Sequence, residues 1–133
     1  MISDRGNPTW IAADLVAQAE HDPDARAILV TSKARLAQAV AAAVAHQLPG
    51  EGPAREALAA HGGIVVTRSR RESIALANRM APEHLVVDDE DTAEAVSCAG
   101  AIFIGHHTAQ VAGDYAIGSN HVLPTGGAAR VRG

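Results

Sequence analysis

Apolar positions along the 133 residues switch between helical spacing and short unbroken runs. Residues 1–10 read as a tail running into a helix. Asn7 is its candidate cap, and Pro8 suits the first helical position. Trp10, Ile11, Leu15 and Val16 recur near helical spacing until Asp22-Pro23 closes the pattern. Residues 27–31 (AILVT) form a continuous apolar run, as expected of a strand covered on both faces. Ser32 is placed to cap a second helix, whose Leu36, Val40 and Val44 lie four apart. Gly50-Glu51-Gly52-Pro53 breaks the chain, and a short helix over about 53–61 stops at Gly62-Gly63. A second strand follows at 64–67. Ser69 and Glu72 form a capping box that opens a helix through Met80, ended by Pro82. Residues 85–87 read as a third strand, and Asp89 caps a helix over about 90–98. Gly100 stops that helix, and 101–104 is a fourth strand. Residues 108–112 can make one helical turn, and 113–133 read as a glycine-rich loop or tail.

Apolar strands alternating with helices predict one three-layer α/β/α domain over 1–133, with a mostly parallel sheet of about four strands. Composition sharpens that expectation. Trp10, Phe103 and Tyr115 are the only aromatic residues, and the chain is rich in alanine. Its core must therefore come from Ala, Val, Ile and Leu, with small helix faces packed closely on aliphatic strands. A single cysteine, Cys98, excludes a disulfide framework and a cysteine-rich zinc site. It reads as a small buried residue of the helix before Gly100. No apolar run approaches the roughly 18–20 residues that span a bilayer. No apolar leader follows Met1, which makes the cytoplasm the expected location. A net charge of −4 argues against a general nucleic-acid binder.

Three polar groupings carry candidate chemistry. Gln18 and His21 sit three apart near the end of the first helix, on one face, where an amide oxygen and an imidazole could share a cation. Spacing alone favours a solvated polar face. Glu83 and His84 adjoin at a helix-to-strand junction, where a carboxylate and an imidazole can divide base and acid roles. The plainer reading is a polar corner, since parallel sheets usually bind ligands beyond the opposite ends of their strands. Gly113-Asp114-Tyr115 and Gly118-Ser119-Asn120-His121 make a ligand-rich loop, or an ordinary surface one. Arg68, Arg70 and Arg71 read as a solvated helix start. His106-His107 lacks a third donor nearby. Neither a glycine-rich dinucleotide fingerprint after a strand nor a P-loop occurs.

Taken together, these segments resemble histidinol dehydrogenase. The resemblance rests on residues 7–21 (NPTWIAADLVAQAEH), 78–85 (NRMAPEHL), 99–105 (AGAIFIG) and 113–125 (GDYAIGSNHVLPT), in order and spacing across nearly the whole chain. It implies a Rossmann-like half of an aldehyde-dehydrogenase-like fold. It also implies oxidation of L-histidinol to L-histidine in two NAD-dependent steps through an aldehyde. Gln18, His21 and Asp114 would then be zinc ligands that also meet the substrate. His84 would remove the alcohol proton, and Glu83 would activate water against the aldehyde. His121 would contact the substrate.

The resemblance covers about a third of a family member. The segment bearing most NAD contacts, a substrate-contacting serine upstream of Gln18, and a C-terminal tail supplying a glutamate and a fourth zinc ligand across a homodimer have no counterpart here. The expectation is a weakened zinc site, no turnover by this chain alone, and self-association through an uncovered sheet edge. The alternatives are a binding or interaction module that kept the fold and lost the reaction, and a subunit that assembles with separate pieces.

Overall fold

The computed structural model describes residues 1–105. Helix α1 (Pro8–Glu20) starts where expected: the Asn7 carboxamide oxygen accepts from the N–H of Thr9 at 2.9 Å and of Trp10 at 3.4 Å, and Pro8 opens the first turn. Strand β1 (Ile28–Thr31) follows, then α2 (Ala34–Gln47) and α3 (Pro53–His61). Strand β2 (Gly63–Val66) leads into α4 (Arg70–Met80), where the capping box is present in shifted form, its return bond reaching one residue before the Ser69 cap. Ser69 Oγ accepts from Glu72 N, and Glu72 Oε2 accepts from Arg68 N. Strand β3 (His84–Val87), helix α5 (Glu90–Ala95) and strand β4 (Ala101–Ile104) complete the described residues.

Two local readings need correction. The second helix takes Lys33, without a side-chain bond, as its cap, because the Ser32 hydroxyl and N–H are both drawn to Asp4. Helix α5 ends at Ala95 rather than near 98, so half-buried Cys98 lies in the connection to β4 and not within a helix. That connection is held by Asn78, whose carboxamide oxygen accepts from Ser97 N and Cys98 N.

The larger departure is at the start of the chain. Residues 1–3 are not a tail. They lie between β1 and β3 as the middle of the sheet, with Ile2 bridged in parallel to both Val30 and Val87. Ile2 N donates to Val86 O at 2.9 Å, Ser3 N to Val30 O at 3.1 Å, and Val30 N to Met1 O at 2.8 Å. β1 pairs in parallel with β2, and β3 with β4. The order across the sheet is therefore β2, β1, residues 1–3, β3, β4, wound outward in both directions from the middle.

Side-chain alternation along β1 sorts the core into two layers. Leu29 packs with Ile11, Leu15, Val16 and Val40 from α1 and α2. Its neighbours Ile28 and Val30 pack on the other face with Ala77 of α4, Leu85, Val87 and Val96. The α/β/α sandwich expected from the sequence is thus present, with alanines at the contacts where helices meet each other and the sheet.

Candidate functional site

At the amino ends of β1 and β3 the two helical layers part around a cleft of about 840 Å³, a size suited to a small-molecule ligand. Helix α1 supplies one wall. Gln18 sits in its last turn and His21 at its C-cap, and both line the cleft. The opposite wall is the turn from α4 into β3, which brings in Glu83 and His84. Four side chains drawn from segments more than sixty positions apart therefore face one space. Asp114 and His121 lie outside the described residues, as do Tyr115, His106 and His107.

The Glu83–His84 wall has a defined backbone. Ala81 closes α4 in the left-handed region, at φ 47° and ψ 62°, and turns the chain sharply toward the sheet. The start of β4 then grips the new direction: Gly100 N donates to Pro82 O at 3.0 Å and Ala101 N to Glu83 O at 2.8 Å. His84 is the first residue of β3, paired with Ala101, and its ring meets that of buried Phe103 at 6.1 Å between centroids, tilted by 58°.

Sequence reasoning passed over other residues of this cleft. Asp14 lines it one turn before Gln18 and two turns before His21, so the three acidic or ligating side chains share one helical face. Extending the search backwards from Gln18 at the i, i+4 spacing would have found it. Asp22 and Asp24 also line the cleft, against Arg26 and Arg79. With Glu83, four carboxylates face two guanidinium groups, a balance that favours a cationic occupant. Met1 belongs to the same wall. In a polypeptide that begins at Met1, its amino group donates to Ile28 O at 2.9 Å, and burial pushes its pKa down to about 5.

The donors suit a borderline cation such as zinc, since an amide oxygen and an imidazole nitrogen stand on one helical turn beside an excess of carboxylates. They make a partial set: among the described residues no three His, Cys, Asp or Glu side chains stand close enough together to hold a metal ion. NAD finds no cradle among them. A doubly wound sheet normally receives a pyrophosphate where its strand order diverges, at the carboxyl ends. Here that crevice holds carboxylates. Asp88 accepts from Ser3 Oγ at 2.7 Å and Asp4 N at 2.8 Å, and Asp4 accepts from Thr31 Oγ1, Ser32 N and Ser32 Oγ.

Such a domain, doubly wound and with a polar cleft at the amino ends of its strands, belongs to the α/β class. The family model for histidinol dehydrogenase matches residues 1–133, and the chain belongs to that family. It is 51% identical to histidinol dehydrogenase of Methanopyrus kandleri, over 98% of this chain and 32% of that protein. The Agrobacterium fabrum enzyme is 50% identical over the same shares. The crystal structure of histidinol dehydrogenase from Elizabethkingia anophelis superimposes with a TM-score of 0.87 at 41% identity, covering 97% of this chain and 31% of that one. The chain thus spans about a third of the length of the relatives it matches.

Proposed function

We propose that this chain is the histidinol-handling part of a histidinol dehydrogenase, an enzyme that oxidises L-histidinol to L-histidine through an aldehyde, with zinc and NAD. The observation that carries the reading is the meeting of Gln18, His21, Glu83 and His84 in one cleft. Its acidic balance suits a ligand bearing an ammonium group. Gln18 and His21, with Asp114, would hold zinc, which supplies a positively charged template for the amino alcohol. His84 would take the hydroxyl proton in the first oxidation and serve again as base in the second. Glu83 would take a proton from the water that adds to the aldehyde. His121 would meet the carboxylate of the product. Hydride acceptance is NAD chemistry, and none of the described residues is assigned to it. The setting would be the cytoplasm, and the assembly a homodimer or a self-association through a sheet edge.

Calorimetric titration of the 133-residue protein tests this reading. Zinc should bind, histidinol should bind only with zinc present, and His21→Ala should weaken both by at least about tenfold. NADH production should be absent. Binding of neither ligand would overturn the reading in favour of an interaction module, and vigorous zinc-dependent NADH production would overturn the incomplete site.

A further inference from the structure

From Ala77 to Leu85 every residue lines the cleft except Asn78. Asn78 points the other way, and its carboxamide oxygen is the acceptor for two backbone donors, Ser97 N at 2.8 Å and Cys98 N at 3.2 Å. These donors lie just past α5, whose last residue is Ala95, and just before β4. They are followed by Gly100 N and Ala101 N, which donate to Pro82 O and Glu83 O. Residues 97–101 therefore run alongside 78–83, joined by four hydrogen bonds. The two at Asn78 continue the β3–β4 ladder backwards, past the point where α4 and the left-handed Ala81 leave no strand to pair with.

We propose that Asn78 is a positioning residue for the Glu83–His84 pair. It touches no ligand space. Acting with Phe103, it fixes the wall from behind. The Asn78 acceptor sets where residues 97–101 lie, those residues set the Pro82 and Glu83 carbonyls, and β4 then places the Phe103 ring against His84. A turn that contains a left-handed alanine needs such over-determination, because an unsupported turn would relax toward commoner backbone angles. Among the described residues only the oxygen of the Asn78 carboxamide is used, so a carboxylate of the same shape can replace it. This assignment rests on the reading of Glu83 and His84 given above for its importance, although its geometry can be tested without any activity.

The test is NMR on the isotopically labelled 133-residue protein. Asn78→Ala should abolish the cross-peaks between the His84 and Phe103 rings. It should also speed amide exchange at Ser97 and Cys98 by about tenfold or more, while cross-strand contacts between β1 and β2 persist. Asn78→Asp should restore both the cross-peaks and the protection. A general loss of structure would disturb β1–β2 as well, so the split between the two ends of the sheet separates positioning from stability. Should Asn78→Ala not fold, Asn78→Gln displaces the acceptor by one methylene while keeping its chemistry, and should give the same loss at His84. Unchanged His84–Phe103 cross-peaks in a folded Asn78→Ala or Asn78→Gln protein would overturn the proposal, as would failure of Asn78→Asp to restore them. Failure of zinc or histidinol to bind would leave these readouts intact, which distinguishes the two claims.

Discussion

The Ser3 hydroxyl donates to Asp88 Oδ1 at 2.7 Å, binding the first turn of the chain to the end of a strand 85 positions later. The same carboxylate takes the Asp4 N–H at 2.8 Å through Oδ2. Ser3 is buried, and its Oγ also accepts from Gly6 N, so removal of the carboxylate strands donors in the centre of the sheet. Asp88→Ala should cost about 1.5–3 kcal/mol, the range for hydrogen bonds to a charged group. Asp88→Asn, which keeps one acceptor, should cost roughly half as much. Urea midpoints at constant slope would show both, and an Asp88→Ala midpoint equal to that of the parent would refute the account.

A pH dependence arises beside that carboxylate. Asp89 caps α5: Thr92 N and Thr92 Oγ1 donate to its Oδ1 at 2.8 and 2.7 Å, and Arg70 and Arg5 lie against Oδ2. The bonds from the Thr92 backbone and hydroxyl hold its carboxyl below the usual carboxylate value, with Arg70 and Arg5 adding to the effect. A carboxyl with a lowered folded-state pKa contributes stability above its unfolded value, 3.8, and loses it as pH falls through the folded one. The acid limb of the stability profile should therefore steepen below about pH 4. Asp89→Asn should flatten it, and an unchanged acid limb in that variant would exclude Asp89 as its source.

Ala81 makes a prediction of opposite signs at one position. Its left-handed backbone costs an L-residue about 1–2 kcal/mol, and glycine escapes that cost. Its methyl group is buried, however, and loss of it forfeits about 0.8 kcal/mol. Ala81→Gly should thus stay within about 1 kcal/mol of the parent. Ala81→Val places a β-branched residue where such residues are outliers and should lose more than about 2 kcal/mol. Thermal or urea unfolding of the two variants checks the contrast; equal effects would mean the backbone at 81 is not left-handed in solution.

The sequence made the layers readable because caps and periods agree. Asn7 before Pro8, Ser69 with Glu72, and Asp89 all mark helix starts that the structure confirms. The site was readable only in pieces. Gln18 and His21 share a helical face by spacing, but nothing local shows that Glu83 and His84 stand across from them, because that depends on where α4 delivers the chain. Residues 1–3 were missed for a physical reason. Three residues carry no detectable alternation, and their strand is made by two neighbours, β1 and β3, that are themselves found far along the chain. Ser32 was misread as a cap for a related reason, since its preferred partner, Asp4, is reached only after the sheet forms.

The buried Met1 amino group gives a second, separable pH effect. In a polypeptide that begins at Met1, the folded state holds this group neutral down to about pH 5, whereas the unfolded chain protonates it near 8. Folding then binds fewer protons between those values, so stability should fall as pH is lowered from 8 toward 5. The slope should approach about 1.4 kcal/mol per pH unit. Acetylation of the amine removes the charge and should abolish that slope if the acetyl group fits the cleft wall. A flat profile between pH 8 and 5 in the unmodified protein would contradict burial of the amine.

The two outer strands define the last expectation. Among the described residues β2 pairs with β1 alone, and Val65 and Val66 are 38% and 50% exposed, while Ile104 on β4 is 44% exposed. An apolar strand with one free side is a template for a second chain, and short edges are usually protected by charge or covering structure. Here Arg68, Arg70 and Arg71 stand just beyond the end of β2, and none of the described residues pairs along its outer side. The protein should therefore self-associate with rising concentration, as seen by sedimentation or light scattering. Val66→Lys should shift that equilibrium toward the monomer by at least about tenfold, while changing stability by no more than about 0.5 kcal/mol, as befits an exposed position. The opposite edge supplies the control: if Ile104→Lys dissociates the assembly and Val66→Lys does not, association runs through β4, and if the parent protein is monomeric throughout, the bare edge is not a contact at all.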